Sequence, residues 1–421
     1  QGRRALYRTG TLYSMQSDVT YVLASGETNY TNSLVSFAWI MAVALLAPLV
    51  SHALGKKMPA VALLIFFGML IGPSMLDLAN EDPGIGMLKE LGVGALFLLA
   101  GFEIDLAALK SKEAATGLST WLICVVVCGV GAYFLMDDIP GAIVMAIALT
   151  STALGTITPM LKQDKLLGTR VGDSVVIHGA IGEVAPITAM ALLLGTRSTW
   201  ATMLILLAFI AIAVAVAVMP FAITTLMPWF KEAFISGAGS TNQTIMRLII
   251  LILAILMAVT AVFELDIVLG AFAAGIILNR IVPDEFHKGL ENRLDVVFYS
   301  MLIPVFFVVS GMAIDWKVIV DEPLKVLGIP LLILVTRGLP VFLRENIHQT
   351  GSDVETTRER IQVALYAATG LPIIVAVMTL AVGSGIVDTE MASIFIAGGA
   401  LTVAIFPFLS GLVREKAEEK G

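Results

Sequence analysis

The chain reads as an all-α polytopic membrane protein of about thirteen transmembrane helices, built on an inverted repeat with two crossed, broken helices. Three observations predict that class: long apolar runs, an alternation of cationic and acidic loops, and two spans interrupted by hydroxyls, glycine and proline at mirrored places. The 421 residues are 58% hydrophobic and only 14% charged, with mean hydropathy +0.92. Soluble domains carry about 25% charged residues, so this composition excludes a soluble enzyme or domain. A net charge of −7 offers no basic stripe, so membrane lipid is the expected partner and nucleic acid is not. The two cysteines, Cys124 and Cys128, lie four apart in one apolar segment and read as core thiols.

Residues 1–32 have no apolar core of the signal-peptide kind and read as an extramembrane arm; Asn29, Tyr30 and Thr31 fit a glycosylation sequon of low specificity. Hydropathy then places spans at 33–54, 59–77, 86–103, 115–136, 140–161, 173–195, 200–228, 245–263, 266–281, 296–313, 324–345, 360–384 and 389–413. Lysine and arginine collect in alternate loops, at Lys56/Lys57, Lys110/Lys112, Lys162/Lys165/Arg170, Lys231, Arg280/Lys288/Arg293, Arg344/Arg358/Arg360 and the tail. The intervening loops carry Asn80-Glu81-Asp82, Asp137-Asp138, Asp321-Glu322 and Asp388. Such an alternation places the carboxyl terminus in the cytoplasm, and an odd number of spans places the amino terminus outside an inner-type cell membrane.

The fifth span holds Thr150, Ser151, Thr152, Gly155, Thr156, Thr158 and Pro159 in its second half; the twelfth holds Thr369, Gly370 and Pro372. Proline removes a backbone donor and glycine lowers the cost of unwinding, so both spans are expected to break, near 150–159 and 367–372. Unpaired backbone groups in hydrocarbon cost several kcal/mol each, so such breaks persist where protein encloses a polar site. Each broken span is the middle member of a trio, 115–195 and 324–413, and the two trios run in opposite directions. That is the pattern of an inverted repeat whose broken helices cross at an ion site.

Charge deep in a span costs about 2.5–3.5 kcal/mol even on the lenient insertion scale, which singles out Glu183 and Arg337. Glu183 can hold a monovalent cation or a proton; Arg337 stays charged and cannot titrate in its place. A Glu183–Arg337 bridge that only pins two helices is the competing reading. His178 is a candidate pH sensor or a helix-packing histidine, while Glu103, Asp105 and Asp173 lie at span ends and read as boundary charges.

Glu90–Leu106, Leu149–Ala153, Gly270–Gly275 and Pro304–Met312, in that order and spacing, resemble the monovalent cation:proton antiporter superfamily, nearest to its second family of bacterial sodium/proton antiporters and potassium-efflux transporters. The resemblance implies a homodimer: dimerisation segments at 33–110 and 231–320, core repeats at 111–199 and 321–413, a linker helix at 200–230 and a cytoplasmic tail at 414–421. It implies elevator-like movement of the core, with Glu183, Thr150, Thr152 and Thr369 binding cation or proton and Arg337 as modulating charge. The chain departs from the family pattern at Gly182, where relatives carry a second acid, Asn or Gln. With one titrating acid, exchange of Na⁺ or K⁺ for H⁺ is expected to be electroneutral, without a cofactor and without enzymatic chemistry. A same-fold carrier of an organic anion and a non-transporting ion sensor are the alternatives. The tail shows no nucleotide-binding glycine motif, so regulation by that route is not supported within these residues, and any regulatory domain or subunit is expected outside them.

Overall fold

The computed structural model describes residues 30–54, 58–103, 112–136, 138–193, most of 207–218, 244–263, 265–282, 284–347 and 354–418. Residues 1–29 of the expected arm, which include Asn29 of the sequon, Asp105 and most of the linker span lie outside the described residues, and Tyr30, Thr31 and Asn32 open the first helix, where the sequence predicts an arm. Among those described, every regular element is helical, and nine helices are long and apolar enough to cross a membrane. The α-helical elements include α1 (Tyr30–Ala53), α2 (Ala60–Ile71), α3 (Pro83–Glu103), α4 (Lys112–Met136), α5 (Ile139–Leu149), α6 (Leu154–Gln163), α7 (Arg170–Leu193), α8 (Thr244–Val262), α9 (Ile267–Ile281), α10 (Asp284–Val297) and α11 (Ile303–Met312), followed by α12 (Trp316–Asp321), α13 (Pro323–Ile333), α14 (Leu339–Ile347), α15 (Thr357–Ala367), α16 (Leu371–Gly383) and α17 (Thr389–Glu418). The spanning units join some of these: α5 with α6, α10 with α11, α13 with α14, and α15 with α16.

Local chemistry sets the helix ends. Asp82 precedes Pro83 and accepts from the amides of Gly84 and Ile85 and from the Ser33 hydroxyl, which ties α1 to the start of α3. Partial burial pushes this carboxyl up, but the three donors outweigh it and hold Asp82 below the usual carboxylate range. Asp138 caps α5, Asp266 caps α9, and Thr356 with Glu359 forms a reciprocal capping box on α15.

The helices pack in two neighbourhoods. In one, α2, α3, α8, α9 and α11 contact one another; in the other, α4, α5 and α7 pack together, as do α13, α15, α16 and α17. Large apolar side chains such as Leu45, Val126, Leu324 and Leu331 are exposed, while Thr150, Thr152, His178, Glu183, Arg337 and Glu345 are buried. Apolar outside and ionisable inside is what a lipid solvent selects. In their most apolar stretches, the units containing α5/α6 and α15/α16 are 89% buried against 22% for Tyr30–Ala53, so these two spans occupy the centre of the protein.

Those two spans are interrupted, as their composition predicts. Helix α5 stops at Leu149 and α6 starts at Leu154; α15 stops at Ala367 and α16 starts at Leu371. The first break lies upstream of its expected centre, because Gly155 and Pro159 both fall inside α6. Pro159 still has an effect there. It cannot donate to the carbonyl of Gly155 four residues back, and that carbonyl instead accepts from the Tyr299 hydroxyl at 3.4 Å. Pro372 occupies the first turn of α16, where a missing donor costs nothing. Two π turns, Phe298–Leu302 and Leu334–Gly338, were not expected. Each is followed two residues later by a proline, Pro304 and Pro340, and that spacing is the signal that could have revealed them.

Candidate ion site at the meeting of the two broken helices

The unwound segments touch. The Ala153 amide donates to the Thr369 carbonyl at 2.8 Å and the Thr152 hydroxyl to the Ala367 carbonyl at 2.5 Å, while the Ser151 hydroxyl, bonded to the Ala148 carbonyl at 2.7 Å, stands 3.3 Å from the Gly370 carbonyl. Backbone groups that lost their helical partners therefore find them across the crossing, which removes the desolvation cost of breaking the helices. Gly370 permits the approach: a Cβ there would stand 2.5 Å from the Ser151 carbonyl oxygen.

Helix α7 joins from a third side. Pro186 lacks the N–H that would bond the Gly182 carbonyl, and the freed oxygen accepts the Thr152 amide at 2.8 Å. Glu183 follows, 3% exposed, with Oε2 lacking a hydrogen-bond partner among the described residues. The amide of Leu154, first residue of α6, acts on its carboxylate, so the half-helix presents its positive end to the acid. The other carboxylate acting on Glu183 is Glu103 of α3. Glu103 thus bears on the site, whereas Asp173 is exposed as a boundary charge should be.

Arg337, on the second π turn, is fully buried. Its Nη2 donates to the Thr152 hydroxyl at 3.0 Å and the His178 carbonyl at 2.9 Å; Nε reaches Thr152 at 3.2 Å and Ala367 at 3.4 Å, and Nη1 contacts Cys124 Sγ at 3.8 Å. No ion pair joins it to Glu183 among the described residues, so the pinning-bridge reading is absent from this arrangement. Instead Arg337 clamps both breaks and α7 through neutral acceptors.

The remaining sequence candidates divide. Thr150 and Thr369 are buried at the crossing, but their hydroxyls bond back to Ala146 and Leu365 of their own helices. His178 is buried with Nε2 3.0 Å from Glu345 Oε1, which also accepts from Ser174 at 2.9 Å. Glu345, fully buried, is the residue the sequence reading missed. Gly182 was noted only as a departure: a Cβ there would collide with Arg337 Nη2 and stand 2.5 Å from Thr152 Oγ1. The small residue is what lets the guanidinium lie against α7.

Tyr299→Phe, which removes the donor to Gly155, should destabilise the protein by about 0.5–1.5 kcal/mol, read as a lowered melting temperature of the purified protein.

Known proteins agree with this architecture. A family model described as sodium/hydrogen exchanger, transmembrane, matches residues 41–411. The putative Na⁺/H⁺ antiporter YjbQ of Bacillus subtilis is 27% identical over 341 residues, covering 73% of this chain and 52% of that protein. The glutathione-regulated potassium-efflux system protein KefC of Shigella sonnei is 24% identical over 354 residues, covering 81% of this chain and 54% of its own. The chain thus spans about half the length of these two relatives. In fold it is similar to the sodium proton antiporter MjNhaP1 from Methanocaldococcus jannaschii, with TM-score 0.62 at 17% identity over 91% of this chain and 98% of that one. A multi-pass helical body, two broken helices meeting inside it and a family match over most of its length lead to one assignment: the chain belongs to the sodium/hydrogen exchanger family, within the monovalent cation:proton antiporter superfamily.

Proposed function

We propose that the protein is a secondary antiporter that exchanges a monovalent cation, Na⁺ or K⁺, for H⁺, with Glu183 as the group that carries either one. The observation that carries this reading is a carboxylate 3% exposed, with one oxygen unpartnered among the described residues, beside a helix N-terminus and a helix crossing. Desolvation makes a bare carboxylate costly in such a place, so it binds a proton or a cation. Carbonyls and hydroxyls of the unwound segment, from Thr150, Thr152 and Thr369, supply hard oxygen donors nearby. The names of relatives such as YjbQ and KefC support Na⁺ and K⁺ as the ions to test.

In this reading α4–α7 and α13–α17 are the two inverted core repeats, residues 33–110 and 231–320 form the dimerisation scaffold, 200–230 the linker, and the core moves against the scaffold in a homodimer. The amino terminus lies outside and the carboxyl terminus in the cytoplasm of the cell membrane. The organic-anion alternative finds no support in Arg337, whose nitrogens are engaged with acceptors inside the protein.

A single carboxyl that alternates between one cation and one proton moves no net charge per cycle. Exchange in proteoliposomes should therefore keep its rate when a potassium-diffusion potential is imposed. A rate that follows the potential would require a second moving charge, for which His178 is the first candidate.

A further inference from the structure

Arg337 poses an electrostatic problem that the site does not solve locally. Its side chain is fully buried, and among the described residues its nitrogens reach only neutral acceptors: a hydroxyl, two carbonyls and a thiol. A buried guanidinium without a counter-charge is strongly destabilising. Glu183 and Glu345 are the buried carboxylates among the described residues. Glu183 forms no ion pair with it.

Glu345 lies eight residues along the same span, and His178 links the two. The His178 carbonyl accepts from Arg337 Nη2, while the His178 ring stands 3.0 Å from Glu345, and both charges act on that ring. His178 Nδ1 has no partner among the described residues. The neutral ring with its proton on Nε2 fits this geometry, since it donates to the carboxylate and leaves only a bare acceptor, whereas a charged ring would strand a buried donor. Among the described residues, other ionisable groups around this cluster have partners of their own. Arg344 is turned to Thr120 and Ser119 on α4, Arg360 of α15 to Asn346, and Tyr366 of α15 to Asp164; Cys124 of α4 touches Arg337 itself.

We propose that Glu345 is a positioning residue for ion exchange: through His178 it supplies the counter-charge of Arg337, which leaves the Glu183 carboxylate unneutralised and available to the transported ion. The charge of Arg337 and that of Glu345 cancel in the cation's field, so the ion meets the full charge of Glu183. This rests on Glu183 being the cation site.

The test compares wild type, Glu345→Gln and Glu345→Asp at alkaline pH. Two readouts are taken against sodium chloride and potassium chloride, with choline chloride to hold ionic strength: thermal stabilisation of the purified protein, and exchange in proteoliposomes. Glu345→Gln keeps the size of the side chain and its acceptor for Ser174 but uncovers the charge of Arg337. It should raise the cation concentration for half-maximal effect about tenfold in both readouts, with the maximal exchange rate within about twofold of wild type. Glu345→Asp should keep the cation requirement of wild type. The proposal is overturned by an unchanged requirement in Glu345→Gln, by a lost maximal rate at unchanged requirement, by an equal shift in Glu345→Asp, or by failure of both variants to fold. Cation-dependent stabilisation of the wild type without exchange would reject the antiporter reading and still test Glu345, because binding is read separately from transport.

Discussion

Proteoliposomes carrying Glu183→Gln will show no cation-driven change of internal pH, a loss on the order of a hundredfold or more relative to wild type. The substitution changes little in shape: the amide fits where the carboxyl does. What it removes is the only property the mechanism uses, a charge that a cation or a proton can neutralise. The amide neither titrates in the working range nor attracts a cation from water. Melting behaviour should be near that of the wild type or improved, since burying a neutral amide costs less than burying an ion. Retained exchange in this variant would move the site elsewhere, and Glu103, the other carboxylate acting on Glu183, would be examined next.

The legibility of this protein followed the range of the forces involved. Long apolar runs and the placement of Thr150, Ser151, Thr152, Gly370 and Pro372 are local, and the two broken helices can be read from them directly. The exact position of the first break is less local. Gly155 and Pro159 look like its centre, yet they lie inside α6, where the carbonyl that Pro159 leaves free is met by Tyr299, far away in sequence. Pro186 was likewise visible as a proline, but not its effect, which is to release the Gly182 carbonyl to Thr152. The pairing of charges was the least legible. Glu183 and Arg337 are the conspicuous ions of the sequence and invite pairing with one another. Glu345, next to Arg344 at the end of a span, resembles an interfacial charge, and only the contact of α7 with α14 shows it buried beside His178.

Installing Asn at position 182, the residue that the family resemblance leads one to expect before the acid, will impair this protein. In isolation Gly182→Asn should help, because glycine inside a helix costs about 0.5–1 kcal/mol relative to alanine. The surroundings reverse that sign. A Cβ at 182 would collide with Arg337 Nη2 and stand 2.5 Å from Thr152 Oγ1 and 2.8 Å from Thr152 Cβ, so either the guanidinium or the unwound segment must give way. Neither moves cheaply. Arg337 holds Thr152, Ala367 and His178 together, and Thr152 is held by both the Gly182 and Ala367 carbonyls. Overpacking of a filled interior costs about 1–3 kcal/mol, and each buried hydrogen bond broken by the displacement adds about 1–3 kcal/mol for the group left unpaired. Gly182→Asn should therefore melt at lower temperature than wild type and exchange ions slowly, with Gly182→Ala intermediate because it adds the Cβ without the amide. A variant at 182 that melts and exchanges as wild type does would show that Arg337 does not lie against α7, and with it would go the clamp that joins the two broken helices to the acid.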